Sequence, residues 1–172
     1  MGQIKKPQPV KLITGFIFKD EAVLKKAESF LSKQFGAIDF QSQILPFNYT
    51  DYYEKELGKN LKRQFISFKK LIRPEGLSRI KIITNNIERK LSFRGARRIN
   101  IDPGYLNFSK LILASTKDYS HRISLGKGIY AELTLLYQNK AFGPLAWTYP
   151  DYRTPQYSAV FTRIREIYAR QV

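Results

Sequence analysis

The sequence predicts an α+β fold, a β-α-β-β-α-β core extended by a β-hairpin and a C-terminal helix, and three observations predict it. The run KLITGFIF at 11–18 is apolar on both alternating faces, the pattern of a strand buried on both sides. After Pro74, the residues Leu77, Ile80, Ile83, Ile87 and Leu91 recur at helical spacing. From His121 to Tyr137, two alternating runs flank Gly126-Lys127-Gly128, as in a hairpin.

The elements follow in order. Asp20 can cap a helix whose Val23, Ala27, Phe30 and Leu31 share a stripe until Gly36 stops it. Phe40 to Phe47 reads as extended and ends in the turn-prone Asn48-Tyr49-Thr50-Asp51. Gln64 to Leu71 is a strand, with Ile66 and Phe68 on one face, and Pro74 suits the first turn of the helix that runs on toward Gly95. Ile99 and Ile101 form a strand entering a tight turn at Asp102-Pro103-Gly104, after which Leu106 to Ala114 resumes as a buried strand.

In the hairpin, placing Ile123, Leu125, Ile129, Ala131 and Leu133 on the buried face pairs Leu125 with Ile129 and sets Arg122 opposite Glu132 as a cross-strand ion pair. The same register sends His121 to the apolar face near Leu133. Thr154-Pro155 then opens a last helix with Tyr157, Val160, Phe161, Ile164 and Tyr168 on one stripe. Through residue 101 the order is the split arrangement of ferredoxin-like domains.

A chain of 172 residues suits one domain, 1–172, and its 12 Phe and 11 Tyr exclude a disordered chain. With no cysteine there is neither a disulfide framework nor a thiolate metal site, and one histidine does not make a structural zinc centre, so no metal ligands are assigned and the cofactor is left open. No apolar run reaches the roughly 18 residues of a bilayer span, and Met1 to Lys11 is polar, which predicts a cytoplasmic protein without a membrane partner.

Lys and Arg outnumber Asp and Glu by 30 to 14, and the stretch 59–98 alone holds 13 basic residues against Glu75 and Glu88. This concentration is either the footprint of a nucleic-acid or acidic partner, with Lys62, Arg63, Lys69, Lys70, Arg97 and Arg98 neutralising phosphates, or a solvated face. The signature of the commonest RNA-binding sheet domain is absent.

Other segments carry chemistry of a different kind. Ser115-Thr116-Lys117-Asp118 crowds a hydroxyl, cations and a carboxylate into a loop. No phosphate-binding G-x-x-x-x-G-K-[ST] loop exists, which excludes a P-loop GTPase. His121 is either a satisfied core histidine or an acid, base or phosphate donor. Trp147, Tyr149, Asp151 and Arg153 form an aromatic and charged cluster that either stacks a base or sugar and holds phosphate, or anchors the last helix. The cluster Tyr49 to Glu54 shares that ambiguity. Asp102, Asp118, Glu132 and Asp151 match no coordination spacing but could supply an acid/base pair.

The segments PVKLITGF, FNYTDYYEKELG, INIDPGYLNFSKLILASTKDYSHRISLGKGIYAELTLLY and WTYPDYRTPQY resemble those of one prokaryotic family, a domain of unknown function of about this length. The resemblance covers nearly the whole chain and brings no catalytic residues with it. It directs attention to the segments that carry it, and so to Asp118, His121, Arg122, Glu132, Asp151 and Arg153. Two functions compete, beside a third, a non-catalytic assembly protein whose basic face docks an acidic partner. The one ranked ahead is polyanion binding by the basic surface over 59–98. The other is an enzyme or binding protein for a phosphorylated or nucleotide-like small molecule, its site near 116–122, 132 and 147–153. In that reading Lys117, Arg122, Trp147, Tyr149 and Arg153 hold the ligand, while His121, Asp118, Glu132 and Asp151 move protons. Convergence in one cleft favours the second reading, and a continuous basic groove the first.

Overall fold

The computed structural model describes residues 2–172. Among the described residues, nine strands form one antiparallel sheet: β1 (Lys11–Phe18), β2 (Ile38–Gln41), β3 (Leu45–Phe47), β4 (Leu61–Phe68), β5 (Ile99–Leu106), β6 (Lys110–Ser115), β7 (Arg122–Ser124), β8 (Tyr130–Gln138) and β9 (Ala141–Pro144). Four α-helices accompany it: α1 (Glu21–Phe35), the single turn α2 (Glu54–Leu57), α3 (Leu77–Leu91) and α4 (Pro155–Ala169). The strand order is β2-β4-β1-β5-β6-β8-β7. On one edge β2 and β3 follow each other along β4, and on the other β7 and β9 follow each other along β8. No helix among the described residues is long and apolar enough to cross a membrane.

The sheet is covered on both faces, which accounts for the unbroken apolar run of β1. Its Leu12, Phe16 and Phe18 pack with Val23, Leu24, Ala27 and Leu31 of α1 and Ile80, Ile87 and Leu91 of α3. Its Ile13 faces the opposite layer, where α4 lays down Tyr157, Phe161, Ile164 and Tyr168, each fully buried and each contributing about 1.5–3 kcal/mol of burial. The Asp20 side chain accepts from the Ala22 N–H at the start of α1, and Thr154 caps α4 ahead of Pro155, as the capping residues predict.

Several expectations are corrected. Asp102-Pro103-Gly104 is not a turn: β5 runs straight through it, paired with β1 along its whole length. Pro103 lies one residue before pairing with β6 begins, so only one flank of the strand is engaged where the ladder lacks a donor. At Gly104 a Cβ would stand 2.3 Å from the Ile112 carbonyl oxygen, so this glycine serves a close approach of β5 and β6. The real turn is at 107–109, where Asn107 Oδ1 accepts from the Ser109 and Lys110 N–H groups. The expected Leu106–Ala114 strand is therefore the end of β5, a turn and then β6.

Phe30 and Leu24 flank the stripe of Val23, Ala27 and Leu31 on opposite sides; the buried face extends toward Leu24 and Glu28, which leaves Phe30 exposed. The strand expected at 64–71 is β4, shifted three residues upstream. A buried arginine, Arg63, hides the true start from an apolar pattern. The 40–47 stretch is two short strands. Between them Ser42 keeps its N–H on the Phe65 carbonyl, but its hydroxyl accepts from the Phe65 N–H, which interrupts the regular ladder.

In the hairpin the register is as expected, with Arg122 opposite Glu132 and Leu125 donating to the Ile129 carbonyl at 2.8 Å. Of the expected buried face, Ile129 is buried and Ala131 and Leu133 are half-buried, but Ile123 and Leu125 are exposed, and the opposite face is buried too. Arg122, Glu132 and Thr134 point inward, while Ile123 is 74% exposed, because α3 covers the helical face only as far as Ile129, Ala131 and Leu133. His121 precedes the ladder and turns toward Glu132, not toward an apolar face near Leu133.

Candidate functional site

One end of the sheet opens into a cleft of about 680 Å3. Here β1 and β6 finish and β4, β5 and β8 begin, so the last or first residues of five strands converge. Ends of strands are freed from the alternation that fills the core, and this end carries charges instead of leucines. The loops at 47–53 and 149–152 supply an aromatic lining of Phe47, Tyr49, Tyr52, Tyr53, Tyr149 and Tyr152.

The floor is built on Arg63, whose side chain is 1% exposed. Arg63 and Phe65 share a face of β4, and Gly15 on the neighbouring strand leaves the room they occupy. A Cβ there would lie 3.0 Å from the Phe65 ring and 3.4 Å from Arg63 Nη2. The guanidinium lies over the rings of Phe65 (4.7 Å) and Tyr152 (5.1 Å) and donates to the Tyr152 hydroxyl at 2.7 Å. Asp151 stands 3.4 Å from Nη2 and Asp102 3.9 Å from Nη1. Burial pushes the Asp151 carboxyl up, opposed by the Arg63 charge. Burial alone would lower Arg63, but Tyr152, Asp151, Tyr157 and Asp102 together hold it above its ordinary value, so it is a fixed cation. Asp102 is more open, at 26%, and receives Asn100 Nδ2 at 2.7 Å and Lys81 Nζ at 3.5 Å. Two carboxyls on one guanidinium, one sealed with its pKa raised and one partly solvated, is the asymmetry that acid/base pairs use.

The wall toward β8 is a second network. Arg122 donates through Nε to Glu132 (2.8 Å), through Nη1 to Ser115 Oγ (2.8 Å) and the Lys117 carbonyl (3.0 Å), and through Nη2 to the Tyr149 hydroxyl (2.6 Å), with Nη2 also 2.7 Å from the Glu132 carboxylate. Each of the three guanidinium nitrogens is thereby committed inside the protein. Glu132 also contacts His121 Nε2 at 3.1 Å, and Trp147 stacks on the His121 ring with centroids 5.5 Å apart. On the α3 side, Glu88 bonds the Ile101 N–H and faces Arg97, and burial raises its pKa against the pull of Lys81. Arg97 is also clamped by Glu56 from α2. At the mouth, Lys117 lies 4.1 Å above the Tyr52 ring, and no carboxylate among the described residues comes within 4 Å of its ammonium.

Of the residues nominated from sequence, Lys117, Arg122, Glu132, Tyr149 and Asp151 line the cleft, together with Arg63 and Arg97 from the basic stretch. His121 touches it through Glu132. Trp147 sits behind His121 with its indole N–H on the Leu133 carbonyl, and Arg153 binds the carbonyls of Leu145, Ala146 and Thr148, so both shape the loop from outside the cleft. Asp118 is exposed and not part of the lining. Lys62 pairs with Glu21 and Arg98 with Asp20 on the surface, while Lys69 and Lys70 lie past the far end of β4. The four carboxylates Asp102, Asp118, Glu132 and Asp151 do not gather at one point. Among the described residues no three acidic or imidazole groups are placed to hold a metal ion.

Sequence reading missed Lys81, Glu88, Asn100 and the floor role of Arg63. One signal was available: Lys81, Thr84 and Glu88 recur at helical spacing beside the apolar stripe of α3, widening its buried face with polar groups. A family model described as a domain of unknown function (DUF4416) matches residues 8–168, as the quoted segments suggested. Neither a curated protein nor a solved structure matches the chain.

Proposed function

We infer, for a chain that belongs to the family described as a domain of unknown function (DUF4416), that the cleft binds a small phosphorylated or nucleotide-like molecule. Lys117 meets the anionic group, the tyrosines flank the body of the ligand, and Asp102 and Asp151 offer proton acceptors and a proton donor at the floor. The observation that carries this reading is the convergence of Lys117, Arg122, Glu132, Tyr149 and Asp151, named from three separate segments, on a single cleft large enough for such a ligand.

Polyanion binding draws less support. Four of its six nominated cations, Lys62, Arg63, Arg97 and Arg98, already have carboxylate partners, and the other two lie away from the cleft. We also propose a ferredoxin-like core. The order β2-β4-β1-β5, with α1 and α3 on one face, supports it, and β6 to β9 with α4 extend it.

The test is thermal unfolding against a panel of phosphorylated sugars and nucleotides, alongside RNA titrated across a salt series. A ligand at about 100 times its Kd stabilises by about 2.7 kcal/mol, and Lys117→Ala is expected to remove that shift without changing the unliganded midpoint. RNA binding that weakens steeply with salt and ignores Lys117→Ala, with no small-molecule shift, overturns the reading.

A further inference from the structure

We propose that the cleft takes a singly phosphorylated sugar or nucleoside, one phosphate at Lys117 and the sugar hydroxyls at Asp102, and that it discriminates against polyphosphates. This rests on the small-molecule reading above and narrows it.

The charges decide the phosphate count. Five cations line the cleft: Arg63, Lys81, Arg97, Lys117 and Arg122. Four carboxylates line it with them, and each has a cationic partner: Asp151 on Arg63, Asp102 on Lys81, Glu88 on Arg97 and Glu132 on Arg122. Glu56 loads Arg97 further. Lys117 is left as the unmatched cation. Arg122 cannot serve as a second phosphate fork, because each of its three nitrogens already donates inside the protein, to Glu132, Ser115, the Lys117 carbonyl and Tyr149. A triphosphate would bring three or four negative charges to one free ammonium beside already paired carboxylates. The surplus would be desolvated and repelled. A monophosphate brings one to two, which Lys117 can meet.

The floor supplies what a sugar needs. Asp102 has about four lone-pair sites, yet one normal hydrogen bond reaches it, from Asn100; Lys81 stands at 3.5 Å and Arg63 at 3.9 Å. Nη1 of the buried Arg63 makes no closer contact, and Lys81 spends one N–H on the Ile101 carbonyl. Acceptor and donors with unspent capacity therefore stand side by side, facing the cleft. Vicinal hydroxyls, each able to donate once and accept twice, match that alternation.

Calorimetric titration at fixed ionic strength, without divalent metal, tests the proposal with ribose 5-phosphate, 2-deoxyribose 5-phosphate, ribose, and a nucleoside 5′-monophosphate and its triphosphate. The monophosphate is expected to bind at least tenfold more tightly than the triphosphate. Lys117→Met should abolish the preference for phosphorylated over plain ribose. Asp102→Asn should erase the preference for ribose 5-phosphate over its deoxy analogue, and the comparison of those two sugars on the unaltered protein covers the case in which that variant fails to fold. A triphosphate bound as tightly as the monophosphate, or equal affinity for the ribose and deoxyribose phosphates, overturns this inference while leaving the small-molecule cleft standing. No binding by any of the five overturns both.

Discussion

Arg122 and Glu132 stand directly opposite each other on β7 and β8, guanidinium and carboxylate 2.7 Å apart, both side chains sealed from solvent. Breaking such a pair from one side leaves the other charge stranded. Arg122→Met is expected to destabilise by about 3–5 kcal/mol, and the double change Arg122→Met/Glu132→Leu to recover most of that loss, since a buried pair costs desolvation that apolar residues do not. Urea unfolding of the two variants checks it. A double variant no more stable than the single one would show that Ser115, Tyr149 and His121 need the ion pair to hold their places.

Neighbouring cations on β4 should behave in opposite ways. Lys62 reaches Glu21 on the surface, and Lys62→Ala is expected to change stability by under about 1 kcal/mol. Arg63→Leu strands Asp151 beneath the cleft and should cost about 3–5 kcal/mol. Parallel urea curves settle the contrast, and equal losses would contradict it.

Gly104→Ala forces a Cβ against the Ile112 carbonyl of the adjoining strand, an atom that cannot swing away as a side chain can. The expected loss is about 3 kcal/mol, at the upper end of overpacking. Gly76→Ala, where nothing lies within 4 Å, serves as the control and should be tolerated. The thermal midpoints of the two variants make the comparison.

Two carboxyls should respond to pH with opposite signs. Burial raises Asp151 in the folded protein, so the native state holds its proton more tightly than the unfolded chain. Its contribution is full below the ordinary value of 3.8 and is lost as pH rises through the folded value. Glu56 is lowered, chiefly by its hydrogen bonds to Arg97. Its contribution is present above 4.5 and is lost as pH falls through the folded value. Between about pH 3 and 7, Asp151→Asn should therefore gain relative to the unaltered protein as pH rises above 3.8, while Glu56→Gln should regain ground relative to it as pH falls below 4.5. Urea midpoints across that range test the signs.

What was legible in the sequence was whatever local periodicity governs. The stripes of α3 and α4, the caps at Asp20 and Thr154, and the Arg122–Glu132 register follow from spacings of three to four or of two. What was hidden depends on partners distant in the chain. Pro103-Gly104 reads as a turn until β6 is known to pass within contact of Gly104. Arg63 reads as surface charge until Gly15, Tyr152 and Asp151 enclose it. The hairpin shows both cases in one element: its register was local and correct, but how much of the expected face is buried depends on how far α3 extends, which reaches Ile129 and leaves Ile123 exposed.

Each border of the sheet is made from two short strands laid end to end, β2 with β3 and β7 with β9. A sheet this wide would ordinarily offer a long row of unpaired backbone groups on either flank, a template onto which another chain could add. Here the longest border strand has four residues, and each row is interrupted. With a net charge of +16 repelling like molecules, the protein can keep a broad sheet without becoming a seed for its own aggregation.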